Sequence, residues 1–212
     1  IILGGEPRVQ APIQIIDLDF SDGRKFCPHA DDSASRAGFN GILGIGPMER
    51  DCDSFCEAQS KNRIYYACQN GSCKNIHMPI EMQVQNPIAL LPEDNNGLIV
   101  RLPSIPSDGA ESANGYLILG IGTRENNQPG SVVVYPADPM TGEIVTIFNQ
   151  KKYRSILDTG SNVIEIPLSA SPELMECGSN LPDILCPNDL SIFNFMIEGF
   201  RGEPSQPFSF QI

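Results

Sequence analysis

The apolar residues of this chain come in short runs closed by Gly, Pro or Asn. Gly97-Leu98-Ile99-Val100-Arg101-Leu102 and Gly115-Tyr116-Leu117-Ile118-Leu119-Gly120 set the pattern. Ser131-Val132-Val133-Val134-Tyr135, Glu143-Ile144-Val145-Thr146-Ile147-Phe148 and residues 153–157 and 163–167 repeat it. Runs this short, rich in β-branched and aromatic residues, suit half-buried strands and leave little room for long helices. Glycine (19) and proline (18) supply the turns, with Pro139-Met140-Thr141-Gly142 reading as a hairpin turn. Pro12-Ile13-Gln14-Ile15-Ile16-Asp17-Leu18-Asp19-Phe20 and Phe208-Ser209-Phe210-Gln211-Ile212 also alternate like strands. The expected fold class is all-β.

Helix signals are few. Residues 55–62 have the length of two turns. Ser171-Pro172-Glu173-Leu174-Met175-Glu176 opens with an N-cap Ser and a Pro at the first helical position, which predicts a short helix. Residues 192–197 fit either a helix or a strand. Thr123-Arg124-Glu125-Asn126-Asn127-Gln128-Pro129-Gly130 is polar and rich in turn formers. It divides the chain into two expected parts, residues 1–127 and 128–212.

With 212 residues, one large domain or two small lobes can each bury a real core. The net charge of −12 argues against binding nucleic acid or anionic lipid through the overall field. No apolar run approaches the ~18 residues of a membrane-crossing helix. The chain opens on Ile1-Ile2-Leu3-Gly4-Gly5, with neither Met nor a basic start. It therefore reads as an internal piece of a longer protein, any targeting signal lying upstream.

There are seven cysteines: Cys27, Cys52, Cys56, Cys68, Cys73, Cys177 and Cys186. Cys177 and Cys186 bracket a short Pro-containing loop and make a natural disulfide. Cys52, Cys56, Cys68 and Cys73 crowd together, and two local bridges there would staple a loop-rich excursion. Cys27 is left over. The same four cysteines with His77 have C-x3-C and C-x4-C-x3-H spacings, loose relatives of zinc modules. Disulfides are the expected use, no metal is expected, and the expected residence is periplasmic, secreted or in the outer envelope. His29 and His77 are the only histidines, and no Ser or Cys sits in a nucleophile-elbow context, so a His-based triad has little support. Asp17-x-Asp19-x-Ser21-Asp22-Gly23 misses the calcium-loop pattern. Asn70-Gly71-Ser72 is a formal glycosylation sequon.

Asp158-Thr159-Gly160-Ser161 is the stretch that names a reaction. An apolar run delivers an acid into a tight Thr-Gly turn, and Asn162-Val163-Ile164 leads away. Asp-[Ser/Thr]-Gly-[Ser/Thr] arises by chance on the order of once in a hundred chains this long. Its plain alternative is a β-turn with Asp first and Gly third. Hydrolysis by an aspartyl pair needs two carboxyls sharing one proton, the ionised one drawing a proton from water and its partner polarising the scissile carbonyl. Gly160 permits close backbone approach, and Thr159 and Ser161 are placed to fix the carboxylate by local hydrogen bonds.

The order of further motifs resembles the pepsin-like aspartic peptidases. In that family each lobe carries an Asp-Thr-Gly turn, and a later hydrophobic-hydrophobic-Gly segment crosses behind it. Asn40-Gly41-Ile42-Leu43-Gly44-Ile45-Gly46 looks like the first lobe's segment. Asn86-Pro87-Ile88-Ala89-Leu90-Leu91, Gly97-Leu98-Ile99-Val100 and Gly115-Tyr116-Leu117-Ile118-Leu119-Gly120-Ile121-Gly122 follow in the family's order. Tyr153-Arg154-Ser155-Ile156-Leu157-Asp158 is similar to the strand feeding the second catalytic turn. Gln83-Val84-Gln85-Asn86-Pro87, Asp94-Asn95-Asn96-Gly97 and the cysteine spacing resemble more closely a group of uncharacterised bacterial secreted or lipoprotein-type proteins with pepsin-like motifs.

The resemblance implies a bilobal pepsin-like fold with a cleft, acting on extended polypeptide without a cofactor. Asp158 would be one of two catalytic acids, held by Thr159, Gly160 and Ser161, with Ile42, Leu43 and Gly44 supporting the active-site loop. The chain contains one Asp-[Ser/Thr]-Gly. The family pattern puts the other turn and the flap Tyr upstream of Ile1, and the last hydrophobic-hydrophobic-Gly beyond Ile212. A retroviral-type homodimer would carry its Gly-ending segment after the Asp; here it precedes, so a monomer is expected. The alternative expectation is a catalytically silent pepsin-fold module that binds a protein or peptide at the bacterial envelope.

Overall fold

The computed structural model describes residues 1–15, 33–70, 72–106, 110–161, 164–170, 174–178, 184–187 and 189–211. Strands dominate and helix is scarce, so the protein is all-β in character. The chain forms two compact units, Ile1–Gly130 and Ser131–Ile212.

In the first unit, β1 (Tyr66–Gln69) and β2 (Ser72–Asn75) form an antiparallel hairpin in which Cys68 faces Cys73. β3 (Leu98–Arg101) pairs antiparallel with β4 (Tyr116–Leu119), Leu98 opposite Leu119. The helices are α1 (Ala34–Ala37) and α2 (Asp53–Ala58). The two turns expected over residues 55–62 contract to α2, because the amide of Asn62 leaves the helix and ties loops together. Its Nδ2 donates to the carbonyls of Gln59 and Ile76, both at 2.8 Å, and its Oδ1 accepts from the N–H groups of Ile64 and Tyr65, both at 2.9 Å.

That use of side-chain amides recurs. Buried apolar residues of this unit include Cys52, Cys56, Cys73, Ile88 and Leu91, while Asn62, Gln83, Asp94 and Asn127 are buried beside them. Loop backbone needs hydrogen-bond partners as much as strands do, and buried polar groups persist only when bonded. Asn86 shows both roles: its Oδ1 accepts from Ile88 N–H at 3.0 Å, capping the 3-10 turn Pro87–Leu90, while Nδ2 donates to Gly46 O at 2.9 Å.

The second unit is built on one antiparallel sheet, ordered β10 (Ser205–Gln211), β9 (Ile192–Glu198), β5 (Ile144–Phe148) and β6 (Lys151–Ser155). Register puts Phe193 opposite Phe210, Phe195 opposite Phe208, Thr146 opposite both Ile197 and Tyr153. These residues share one face, and their rings stack: Phe148 on Phe195 at 4.5 Å, and Phe210 on Phe193 and Phe195, each at 5.4 Å. Ala170, Ile166 and Leu174 cover that face, and Asn149 Nδ2 holds Ala170 O at 2.8 Å. The opposite face carries ion pairs, Lys152 with Glu198 and Arg154 with Asp138 and Glu143. β10 is an edge strand, the place where Pro207 is tolerated.

Several expectations are corrected. Residues 131–135 form no strand, and Val132, Val133 and Val134 are exposed. Residues 164–167 form none either. The short helix expected over residues 171–176 is contradicted at its end: Met175–Glu176 is β7, paired with Leu185–Cys186 (β8). Its opening Ser-Pro-Glu lies outside the described residues, as do 16–20 of the strand expected over 12–20. Residues 12–15 form no strand, and the ambiguous 192–197 falls within β9.

Candidate functional site

β6 ends at Ser155, and the chain runs through Ile156 and Leu157 into the turn at Asp158. The strand-like run feeding the acid is thus unpaired over its last two apolar residues, 70% and 85% exposed. At the turn the Ser161 hydroxyl donates to Asp158 Oδ2 at 2.6 Å and the Gly160 N–H donates to Oδ1 at 2.8 Å. Ser161 N–H reaches the Asp158 carbonyl at 3.4 Å. A Cβ at position 160 would stand 3.2 Å from Oδ1, tighter than ordinary contact, so a side chain there would press on the carboxylate. Thr159 is exposed on the turn, and the side-chain donor is Ser161.

Donors aimed at a carboxylate favour its charged form. The Ser161 hydroxyl, then the Gly160 N–H, hold Asp158 below its ordinary value of 3.8. The turn therefore presents an exposed, oriented, readily ionised carboxylate. Chemically it is suited to accept a proton from water, and acid–base hydrolysis would need a second, protonated group beside it.

Ile42, Leu43 and Gly44 lie in the first unit, on a stretch without regular structure where Ile42 is 76% and Leu43 41% exposed. That unit also holds two open concavities of about 490 and 480 Å³, and Asp158 lines neither.

A polar cluster that sequence reasoning noted only as resemblance centres on Asp94. It accepts from the Thr123 hydroxyl and from Arg124 Nε, and Arg124 Nη2 pairs further with Glu93 at 2.9 Å and Glu6 at 3.1 Å. The Thr123 hydroxyl, then burial acting the other way, then Arg124 set the balance, and Asp94 is held below the ordinary carboxylate value. Asn127, fully buried, donates to Leu119 O at 2.9 Å and Thr123 Oγ1 at 2.7 Å and accepts from Arg124 N–H at 2.7 Å. Its carbonyl takes Gly122 N–H at 2.9 Å. These bonds tie the end of β4 to Asp94 and to residues 122–127. The signal in the sequence was Gly120-Ile121-Gly122-Thr123 set against Asp94-Asn95-Asn96-Gly97.

Six cysteines form three disulfides, Cys52–Cys56, Cys68–Cys73 and Cys177–Cys186. This settles the pairing left open among the first four and overturns the zinc alternative, since a bridged sulfur is no thiolate ligand. His77 instead places Nδ1 2.9 Å from Glu57 O. Cys27 lies outside the described residues. Three bridges fit an oxidising compartment outside the cytosol. No helix among the described residues is long and apolar enough to cross a membrane.

The sequence model of the family described as "Protein of unknown function (DUF3443)" matches residues 1–212. No curated protein and no solved structure matches the chain.

Proposed function

We propose that this chain, which belongs to the DUF3443 family, carries one half of the catalytic apparatus of a pepsin-like aspartic endopeptidase, with Asp158 as one of its two acids. The observation that carries the reading is the Asp158 turn: an exposed carboxylate gripped on one oxygen by Gly160 N–H and on the other by the Ser161 hydroxyl. The Gly160 bond is that of any Asx-turn; the Ser161 hydroxyl on the second oxygen adds a hold on orientation and charge state of the kind a catalytic acid needs. The all-β architecture, and the sequence order in which Gly41-Ile42-Leu43-Gly44 precedes the turn, agree with it. The substrate class is extended polypeptide, the residence periplasmic, secreted or outer-envelope, and no cofactor takes part.

The test is cleavage of an unfolded protein at acid pH by the full-length protein, compared with Asp158→Asn. Loss of cleavage in the variant is the expected result; equal cleavage removes Asp158 from the mechanism.

One observation favours a second reading. Residues 1–212 hold a single Asp-[Ser/Thr]-Gly, and a lone carboxylate does not make a dyad. A catalytically silent module that binds a protein or peptide would show no cleavage, with saturable peptide binding that Asp158→Asn leaves intact.

A further inference from the structure

Four Asn-Gly pairs stand in the sequence, at Asn40-Gly41, Asn70-Gly71, Asn96-Gly97 and Asn114-Gly115. Asn-Gly is the dipeptide most open to self-modification, because the glycine amide nitrogen meets no side-chain bulk when it attacks the neighbouring Asn side-chain carbonyl. Whether a given pair reacts depends on how firmly the fold holds the Asn side chain and the following backbone. Gly71 lies outside the described residues, and Gly115 is packed, since a Cβ there would stand 2.7 Å from Leu102 Cδ2 and 2.8 Å from Arg101 O; the sharpest contrast is between Asn40-Gly41 and Asn96-Gly97.

They are held in opposite ways. Asn96 is clamped at both ends of its amide: Nδ2 donates to Ile121 O and Oδ1 accepts from Ile121 N–H, each at 2.8 Å. The backbone beside it is fixed too, since Gly97 O accepts Gly120 N–H at 2.9 Å. Asn40 is exposed and followed by exposed, irregular backbone. Among the described residues neither its side chain nor the Gly41 N–H makes a hydrogen bond. The space around Gly41 is open, with no heavy atom within 4 Å of where a Cβ would stand.

We infer that Asn40-Gly41 is a site of spontaneous deamidation, and that the fold protects Asn96-Gly97 from the same reaction. The Gly41 amide nitrogen, losing its proton to solvent, forms a bond to Asn40 Cγ. The C–N bond to the side-chain amide breaks and ammonia leaves, giving a five-membered succinimide. Water then opens the ring at either carbonyl, yielding aspartate or isoaspartate; no oxidant or cofactor enters. The product places a new negative charge two residues before Ile42, at the head of Ile42-Leu43-Gly44. In its isoaspartate form it also adds a methylene to the backbone, which displaces the apolar stretch that follows. The reaction thus alters the chain at the head of this segment whether or not the protein is a peptidase.

The test is to hold the full chain, folded and at mildly alkaline pH, and to follow each Asn-containing peptide by mass spectrometry, with isoaspartyl methyltransferase labelling to detect isoaspartate. Two hydrogen bonds must break to free Asn96, so Asn40 is expected to convert roughly thirtyfold faster. Gly41→Ala is expected to slow the Asn40 reaction sharply. Gly41 has open space and no left-handed φ, so this variant should fold as the parent does. Conversion of Asn96 as fast as Asn40, or an Asn40 that stays intact while a short peptide of residues 37–44 deamidates, overturns the inference.

Discussion

The Ser161 hydroxyl stands 2.6 Å from Asp158 Oδ2, and it is the leading cause of that carboxyl's depressed pKa. Removing it has a signed consequence. A carboxylate whose folded pKa lies below its unfolded value contributes stability above the unfolded pKa and loses it as pH falls through the folded one. Ser161→Ala is therefore expected to move Asp158 titration upward, toward 3.8. A carboxyl NMR titration reads this directly. If the full-length protein is the proposed peptidase and ionised Asp158 takes the proton from water, the acid limb of kcat/KM should rise with it. An unchanged titration would show that the hydroxyl does not tune the acid.

Gly120 leaves no room for a side chain. Its φ is +74°, and a Cβ there would meet Asp94 Oδ1 at 2.7 Å and Asn127 Nδ2 at 2.9 Å, besides overlapping the Thr123 hydroxyl. Gly122 has a similar φ of +68°, but its nearest neighbour would be Pro129 Cδ at 3.9 Å. Gly122→Ala should cost about 1–2 kcal/mol for the left-handed backbone alone. Gly120→Ala should cost roughly 1–3 kcal/mol more for overpacking. Denaturant midpoints of the two variants separate the contributions, and equal losses would mean the cluster yields freely.

Local features of this protein were legible in the sequence and non-local ones were not. β3, β4 and β5 follow their apolar runs because each pairs with a near neighbour or a long strand. The Asp158 turn was legible because its donors lie two and three residues away. The edge strand β6 was expected at residues 153–157 but forms at Lys151–Ser155. Asn149 and Gln150 take φ values of +47° and +64°. They make the two-residue hairpin that fixes the register with β5, so Ile156 and Leu157 fall beyond it. Residues 131–135 have strand composition without a partner, and composition alone does not supply one. The Asp94 cluster joins residues 29 and 30 positions apart through side chains, which no periodicity reveals.

The aromatic face of the second unit should dominate its stability. Phe148 is 6% exposed and stacks on Phe195, with Phe193 6.1 Å away. Phe148→Ala is expected to cost about 3–5 kcal/mol, the range for a buried ring whose cavity does not collapse. Phe208 shares the same face on the edge strand β10 but is 50% exposed. Phe208→Ala should cost clearly less. Chemical denaturation followed by near-ultraviolet circular dichroism measures both, and similar losses would show that the edge strand packs as tightly as the centre.

Tyr65 links the cysteine-rich loops of the first unit through one hydroxyl. It donates to Asp51, with Oδ1 and Oδ2 at 2.8 and 2.7 Å, and accepts from Val84 N–H at 2.8 Å. Burial, and then the bond and charge of Asp51 against the opposing pull of Val84 N–H, raise its pKa from 10.0 to about 12. Here the folded state keeps the proton that the unfolded state releases. The contribution to stability is full below pH 10 and is lost as pH rises toward 12. Ultraviolet titration of tyrosinate should show a late-ionising tyrosine that Tyr65→Phe removes. Asp51→Asn should shift it earlier while leaving the burial contribution in place. If Tyr65 instead ionises with the exposed tyrosines, the hydroxyl is not buried between these loops, and the tie between Asp51 and Val84 is not made.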